Sequence, residues 1–234
     1  MSNLYVVDST GTTRAPTKVY VVDAGGVSRY VQKIWAVDST NTTRLVFNAF
    51  TSALYTFTAQ GAAVVTIPSG ALQVVIEGWG SGAYGGTGYG GSCTGFGGGG
   101  GGAGGYFRKT YTLSSANWSK NFNVSSTIAG VGSVTVSSGT FSLSTLTANL
   151  GANGSPANIS HGGAGGAGGT ASGGDVNTTG GAGTAGSGSS TSGTGGTAVT
   201  GIHGGPYGKG AQGAAYGGRP LIAPQAGGVV VYFT

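Results

Sequence analysis

Glycine recurs in steps of three through long parts of this chain, and few folds tolerate that. Gly162 to Thr170 reads GGAGGAGGT, and Gly180, Gly183 and Gly186 keep the same spacing. With only six prolines and no long Gly-X-Y register, the chain is not collagen. A flexible Gly/Ser linker shows no phase, rarely contains aromatics and joins domains instead of sitting between strands. Disorder combines low hydrophobicity with high net charge. Here 38% of residues are hydrophobic, 6% are charged, and mean hydropathy is +0.12.

A period of three suits the polyproline-II conformation, which has three residues per turn and no internal hydrogen bonds. Without Cβ atoms, such runs pack backbone to backbone, and their N–H and C=O groups pair between neighbours. Ala, Ser and Thr at the third position then face outward or fill an interface. Ordering glycine is costly, about 1–2 kcal/mol per residue for an average backbone and more for Gly. Flanking strands must therefore hold the ends of each run.

Those strands are legible. Residues 53–58, 63–67, 72–77, 106–113, 121–125, 133–137 and 141–146 alternate apolar and polar positions with β-branched or aromatic content. The closing GVVVYFT, residues 228–234, reads as a buried strand. Pairing it with strands far upstream clamps everything between. The expectation is all-β: a β-sandwich from residue 50 to 234 enclosing a polyglycine-II bundle, with glycine-rich inserts at 79–105 and 151–228. Trp79 and Trp118 are expected in the core.

Residues 1–49 hold three 15-residue repeats, LYVVDSTGTTRAPTK, VYVVDAGGVSRYVQK and IWAVDSTNTTRLVFN. Each reads as a hairpin with turn residues that tolerate positive φ. Asp8, Asp23 and Asp38 stand in register, as do Arg14, Arg29 and Arg44, so each Asp is expected to meet its Arg across the hairpin. Such exposed pairs contribute under about 1 kcal/mol. Three small hairpins bury little apolar surface, which marks this segment as an attachment or assembly module.

Ten basic and five acidic residues are scattered without a block of like charge, a weak footprint for nucleic acid. Cys93 is the single cysteine, so no intramolecular disulfide or multi-cysteine metal site is expected. The apolar stretch after Met1 is too short for a signal peptide, and no stretch approaches a membrane span. Outside the repeats the carboxylates are Glu77 and Asp175 and the histidines His161 and His203. Paired-carboxylate hydrolysis needs Glu77 and Asp175 to converge at about 5–10 Å. No serine has a nucleophile-elbow context, and no metal-ligand spacing is present. No enzyme activity, metal or cofactor is expected.

Tyr84, Tyr89, Phe96, His203, Tyr207 and Tyr216 stand at or near breaks in the glycine runs. Loops on a rigid scaffold carry recognition, and Tyr beside Gly and Ser gives contact area at low entropic cost. These six are the candidate receptor-binding residues. Alternatively, their rings cap and seal the glycine bundle.

The order VVIEGWGSGAYGG, GGYFRKTYTL, GGAGGAGGTASGGDVNTTGGAG and GGVVVYFT resembles the glycine-rich domain of bacteriophage tail proteins, some of which are tail-fibre-tip adhesins. The repeats are likewise similar to short repeats of phage structural proteins. The resemblance implies a virion tail protein, made in the host cytoplasm, that binds other virion proteins through its N-terminal repeats. Its loops would touch a host receptor, a glycan or an outer-membrane protein, and homo-oligomers are possible. The stretch 184–200, with less regular glycine, departs from the pattern. One alternative is a head or tail decoration protein that binds only virion proteins. Another is an ice-binding protein, against which the threonines show no regular array in the sequence.

Overall fold

The computed structural model describes residues 50–90, 95–127, 129–188, 191–215, 218 and 222–234, and six short strands within the first 48 residues. Those six pair as one antiparallel hairpin per repeat: β1 (Val6–Val7) with β2 (Thr13–Arg14), β3 (Val19–Val22) with β4 (Ser28–Val31), and β5 (Lys33–Val37) with β6 (Thr43–Asn48). Arg14, Arg29 and Arg44 stand opposite Val6, Val21 and Ala36, the same register each time. Asp8, Asp23 and Asp38 lie outside the described residues, and with them the expected Asp–Arg pairs.

The rest is all-β. In chain order come β7 (Ala53–Phe57), β8 (Gly61–Thr66), β9 (Gln73–Trp79), β10 (Tyr89–Gly90), β11 (Gly95–Phe96), β12 (Tyr106–Thr112), β13 (Asn121–Ser126), β14 (Val134–Ser138), β15 (Leu146–Ala148), β16 (Ala171–Ser172), β17 (Val176–Thr178) and β18 (Gly228–Phe233). One antiparallel sheet runs β17-β12-β9-β18-β7 and the other β16-β15-β14-β13-β8. Among the described residues there is one 3₁₀ turn, Ser115–Asn117, and no α-helix.

Alternation explains the two layers. Val74 and Ile76 of β9, Phe107 of β12, and Val229, Val231 and Phe233 of β18 meet Val65, Phe122, Val124, Val134, Val136 and Leu146 of the facing sheet. Strand β18 inserts between β9 and β7, with Gly228 beside Trp79 and Phe233 beside Val74. The last strand thus closes a sheet begun some 170 residues earlier. Trp79 is fully buried, and Trp118 packs at the core margin, where its indole N–H donates to Ala71 O.

The strand expected over 141–146 begins only at Leu146. Phe141 and Leu143 instead belong to an arch that drops both side chains into the core, held by Phe141 N–H to Asn121 O and by Ser138. Alternating burial without ladder bonds looked like a strand. The second glycine insert also differs from the expected 151–228, because in its middle the chain returns to the two sheets as β16 and β17.

Seven extended runs stand on one end of the sandwich: run 1 (80–88), run 2 (97–105), run 3 (149–157), run 4 (162–170), run 5 (179–187), run 6 (191–199) and run 7 (208–215). Run 2 is central and bonds in strict rotation. Gly97, Gly100 and Ala103 donate to run 5; Gly98, Gly101 and Gly104 donate to run 7; Gly99, Gly102 and Gly105 donate to run 3. Its carbonyls accept from runs 4, 6 and 1 in the same rotation, as in Gly166 N–H to Gly100 O, Gly196 N–H to Gly101 O and Ala83 N–H to Gly102 O. The outer runs bond to one another around it in the ring order 1, 3, 4, 5, 6, 7. Each run thus uses its backbone as a sheet strand does, but toward several neighbours instead of two.

Runs 1, 3 and 5 leave β9, β15 and β17, while runs 2 and 4 return to β12 and β16. Between runs 6 and 7 the chain touches down on β9, where it is pinned. Ala164, Ala167 and Thr170 of run 4 are exposed while Gly163, Gly166 and Gly169 are buried, so the third position faces outward. Run 6 obeys the same rule: Thr191, Thr194, Thr197 and Thr200 are exposed and Gly193 and Gly196 buried. These threonines do form a regular column, contrary to the sequence reading. Serine and threonine at the outward positions had masked the period.

Candidate functional site at the far end of the bundle

The loops divide into two groups by the end of the runs they join. At the far end, run 1 passes to run 2 through the β10–β11 hairpin, run 3 passes to run 4 through residues 158–161, and run 5 ends beside Gly188.

Tyr89 and Phe96 are cross-strand partners in the β10–β11 hairpin, both half-buried. Phe96 also bridges to Gly188. Beside them Ala157 N–H donates to Thr87 O, which brings the turn 158–161 against the hairpin's base. Asn158 Oδ1 accepts from the Ser160 and His161 N–H groups at 2.9 and 3.0 Å. Asn158 Nδ2 lies 2.9 Å from His161 Nε2, and Ser160 Oγ 3.0 Å from Nδ1. These bonds stiffen the turn and project Ile159, 71% exposed, away from the bundle. Sequence reasoning missed Ile159 and His161 here. The signal was available: NISH interrupts two phased runs.

The other candidates lie elsewhere. Tyr84 sits within run 1, its ring over Gly130 of the β13–β14 turn and its N–H bonded to Asn153 Oδ1. His203 and Tyr207 belong to the near-end loop between runs 6 and 7. His203 stacks on Tyr232 with ring centroids 4.2 Å apart, and Tyr207 meets Trp79 edge-on at 5.3 Å. Tyr216 lies outside the described residues. The structure therefore brings Tyr89 and Phe96 together and sets Tyr84, His203 and Tyr207 apart from them.

The near-end loop is fixed by Glu77, which is fully buried. Its Oε1 accepts from Tyr106 Oη and from Ile202 N–H (2.8 Å), and its Oε2 from His203 N–H (2.7 Å). Trp79 Nε1 donates to Val199 O at 2.8 Å. Burial, then the hydrogen bond to Glu77, raises the Tyr106 phenol well above its ordinary range. Asp175 is surface-exposed and bonds Lys109 Nζ and Thr110 N–H, which holds its carboxyl below the usual range and the Lys109 ammonium above its own. Both carboxylates thus have structural partners. Among the described residues no three His, Cys, Asp or Glu side chains cluster as a metal site, and no helix is long and apolar enough to cross a membrane. No protein-family model matches the chain, and no curated protein is significantly similar to it.

Proposed function

We propose that this protein is a receptor-binding adhesin of a phage tail, in which the seven runs form a polyglycine-II bundle and the far-end loops touch the host. The observation that carries the reading is the rotation of backbone bonds around run 2. Threefold rotation with neighbours on every side is what a three-residue-per-turn helix produces. A bundle bonded mainly through its backbone leaves its loops free to vary. Nine residues at about 3.1 Å each carry those loops roughly 28 Å from the sheets. The described part of that end presents aromatic, amide, hydroxyl and aliphatic groups without a formal charge, suited to a glycan or the loops of an outer-membrane protein. The N-terminal repeats would join other virion proteins, and the particle would carry the adhesin out of the cell.

Exchanging 89–96 and 158–161 for loops of another sequence should change host adsorption, whereas exchanging 200–207 should not. Unchanged adsorption after the far-end exchange would favour a decoration protein that binds only virion partners. One observation favours a further reading. The column Thr191, Thr194, Thr197 and Thr200 and the exposed Ala182 and Ala185 of the neighbouring run make an uncharged face of small side chains, the residue types an ice-binding surface uses. Thermal hysteresis in the purified protein would support it, and its absence would remove it.

A further inference from the structure

The two flanks of the sandwich are unlike. On one flank the sheets end in β17 and β16, three and two residues long, joined by a turn whose Asp175 is tied to Lys109. Short strands and charge are how proteins blunt a sheet edge. On the other flank the sheets end in β7 and β8, five and six residues long, and neither has a partner on its outer side among the described residues. No Asp, Glu, Lys or Arg occurs between Arg44 and Glu77. Leu54 (54%), Tyr55 (42%) and Val64 (64%) are exposed on these strands, and the arch between them opens into a groove of about 310 Å³ floored by Val124 and Ser126. Two full-length, uncharged edges side by side ask for strands to complete them.

We propose that this flank is a homodimer interface in which β7 of each copy pairs with β8 of the other. Strand β7 runs toward the bundle and β8 away from it, since Phe57 lies beside Val229 at the bundle end and Ala53 beside Phe233 at the other. A twofold axis along the strands therefore sets β7 antiparallel to β8 of the second copy, twice over, with matched lengths. Each sheet then continues into the opposite sheet of its neighbour. An uncharged edge meets itself without like-charge repulsion, and the closed symmetry stops growth at two. Both bundles point the same way, and both N-terminal segments leave from the opposite end. The inference rests on strand topology and holds whether or not the protein is an adhesin.

The full-length protein should sediment near 45 kDa, twice the 22.5 kDa chain. Leu54→Lys with Val64→Lys, both at exposed positions, should yield a folded monomer whose melting temperature no longer depends on protein concentration. In a Cys93→Ser background, Leu54→Cys and Val64→Cys proteins, both on the outer face, should form a disulfide with each other on mixing, and neither should with itself, because bridged Cα atoms must lie within about 7 Å. A monomer at tens of micromolar overturns the proposal. So does a dimer that survives the two lysines, which places the contact elsewhere. Self-linking of the Leu54→Cys protein overturns it too, because it makes β7 pair with β7 and sets the bundles in opposition.

Discussion

At the residue scale, two kinds of position hold the molecule rigid for different reasons. The inward glycines are excluded volume. A Cβ on Gly99 would sit inside the van der Waals shell of Ala164 O, and one on Gly166 inside that of Ala152 O. Neither carbonyl can retreat, because each is itself held in the lattice. Gly99→Ala should therefore cost at least the ~1–3 kcal/mol of ordinary overpacking. Gly188→Ala, where the nearest atom is 3.5 Å away on the Phe96 ring, should be close to neutral. Urea midpoints would compare the two. Glu77 is the other kind, an acceptor surrounded by donors. Glu77→Gln turns an NH₂ toward one of them and removes the charge from all three bonds, so a loss of about 2–4 kcal/mol is expected. The phenol of Tyr106 adds a pH dependence. Its folded pKa is raised, so the unfolded chain gives up this proton first as pH climbs. The contribution is fully present below about pH 10, the ordinary tyrosine value, and is lost above it. Tyr106→Phe should remove that alkaline loss, measured as the difference in unfolding free energy between the two proteins from pH 8 to 11.

At the element scale, the runs behave as a third kind of strand, and this decides what the sequence could reveal. Run 4 announces itself because alanine is the only residue breaking its glycine pairs. Run 6 carries the same inward Gly193 and Gly196 but hides them among Ser and Thr, so the number of runs could not be counted. Tyr84 looked like a loop residue because an aromatic interrupts glycine. It is mid-run, since the outward positions of an edge run accept any side chain. His203 and Tyr207 mark a true loop, but nothing local says at which end of the bundle it lies. That depends on the buried Glu77, 125 residues upstream of the Ile202 N–H that it accepts. Most strands of the two sheets, in contrast, follow from alternation, the arch at Phe141 and the short edge strands β16 and β17, hidden within the glycine insert, excepted. Hydrogen exchange tests the run as an element. All nine amides of run 2 donate within the bundle, so residues 97–105 should be protected as strongly as β9. Exchange within seconds would make the glycine slack chain instead.

At the scale of the whole molecule, bundle and sandwich cannot be separate folding units, although their chemistry differs. Run 2 sits between β11 and β12, and runs 3 and 4 between β15 and β16, so releasing a run frees a strand's end and losing a strand frees a run's. The near-end loop adds a side-chain bolt, with Trp79, Tyr106 and Val230 packing together under Val199 and Tyr207. Glycine's ordering cost is met by fixing one end of the runs on a single sandwich and bonding each run to its neighbours along its length, a cooperative arrangement by construction. Calorimetry should therefore give one transition with equal calorimetric and van't Hoff enthalpies. Phe122→Ala, deep between the sheets and worth about 3–5 kcal/mol, should lower that transition as a single peak, and Gly99→Ala, far from the sheets, should lower the same peak. If Gly99→Ala instead splits off an early transition while the sandwich melts unchanged, the bundle is a passenger on its platform. The far-end loops would then be presented by a structure able to open alone.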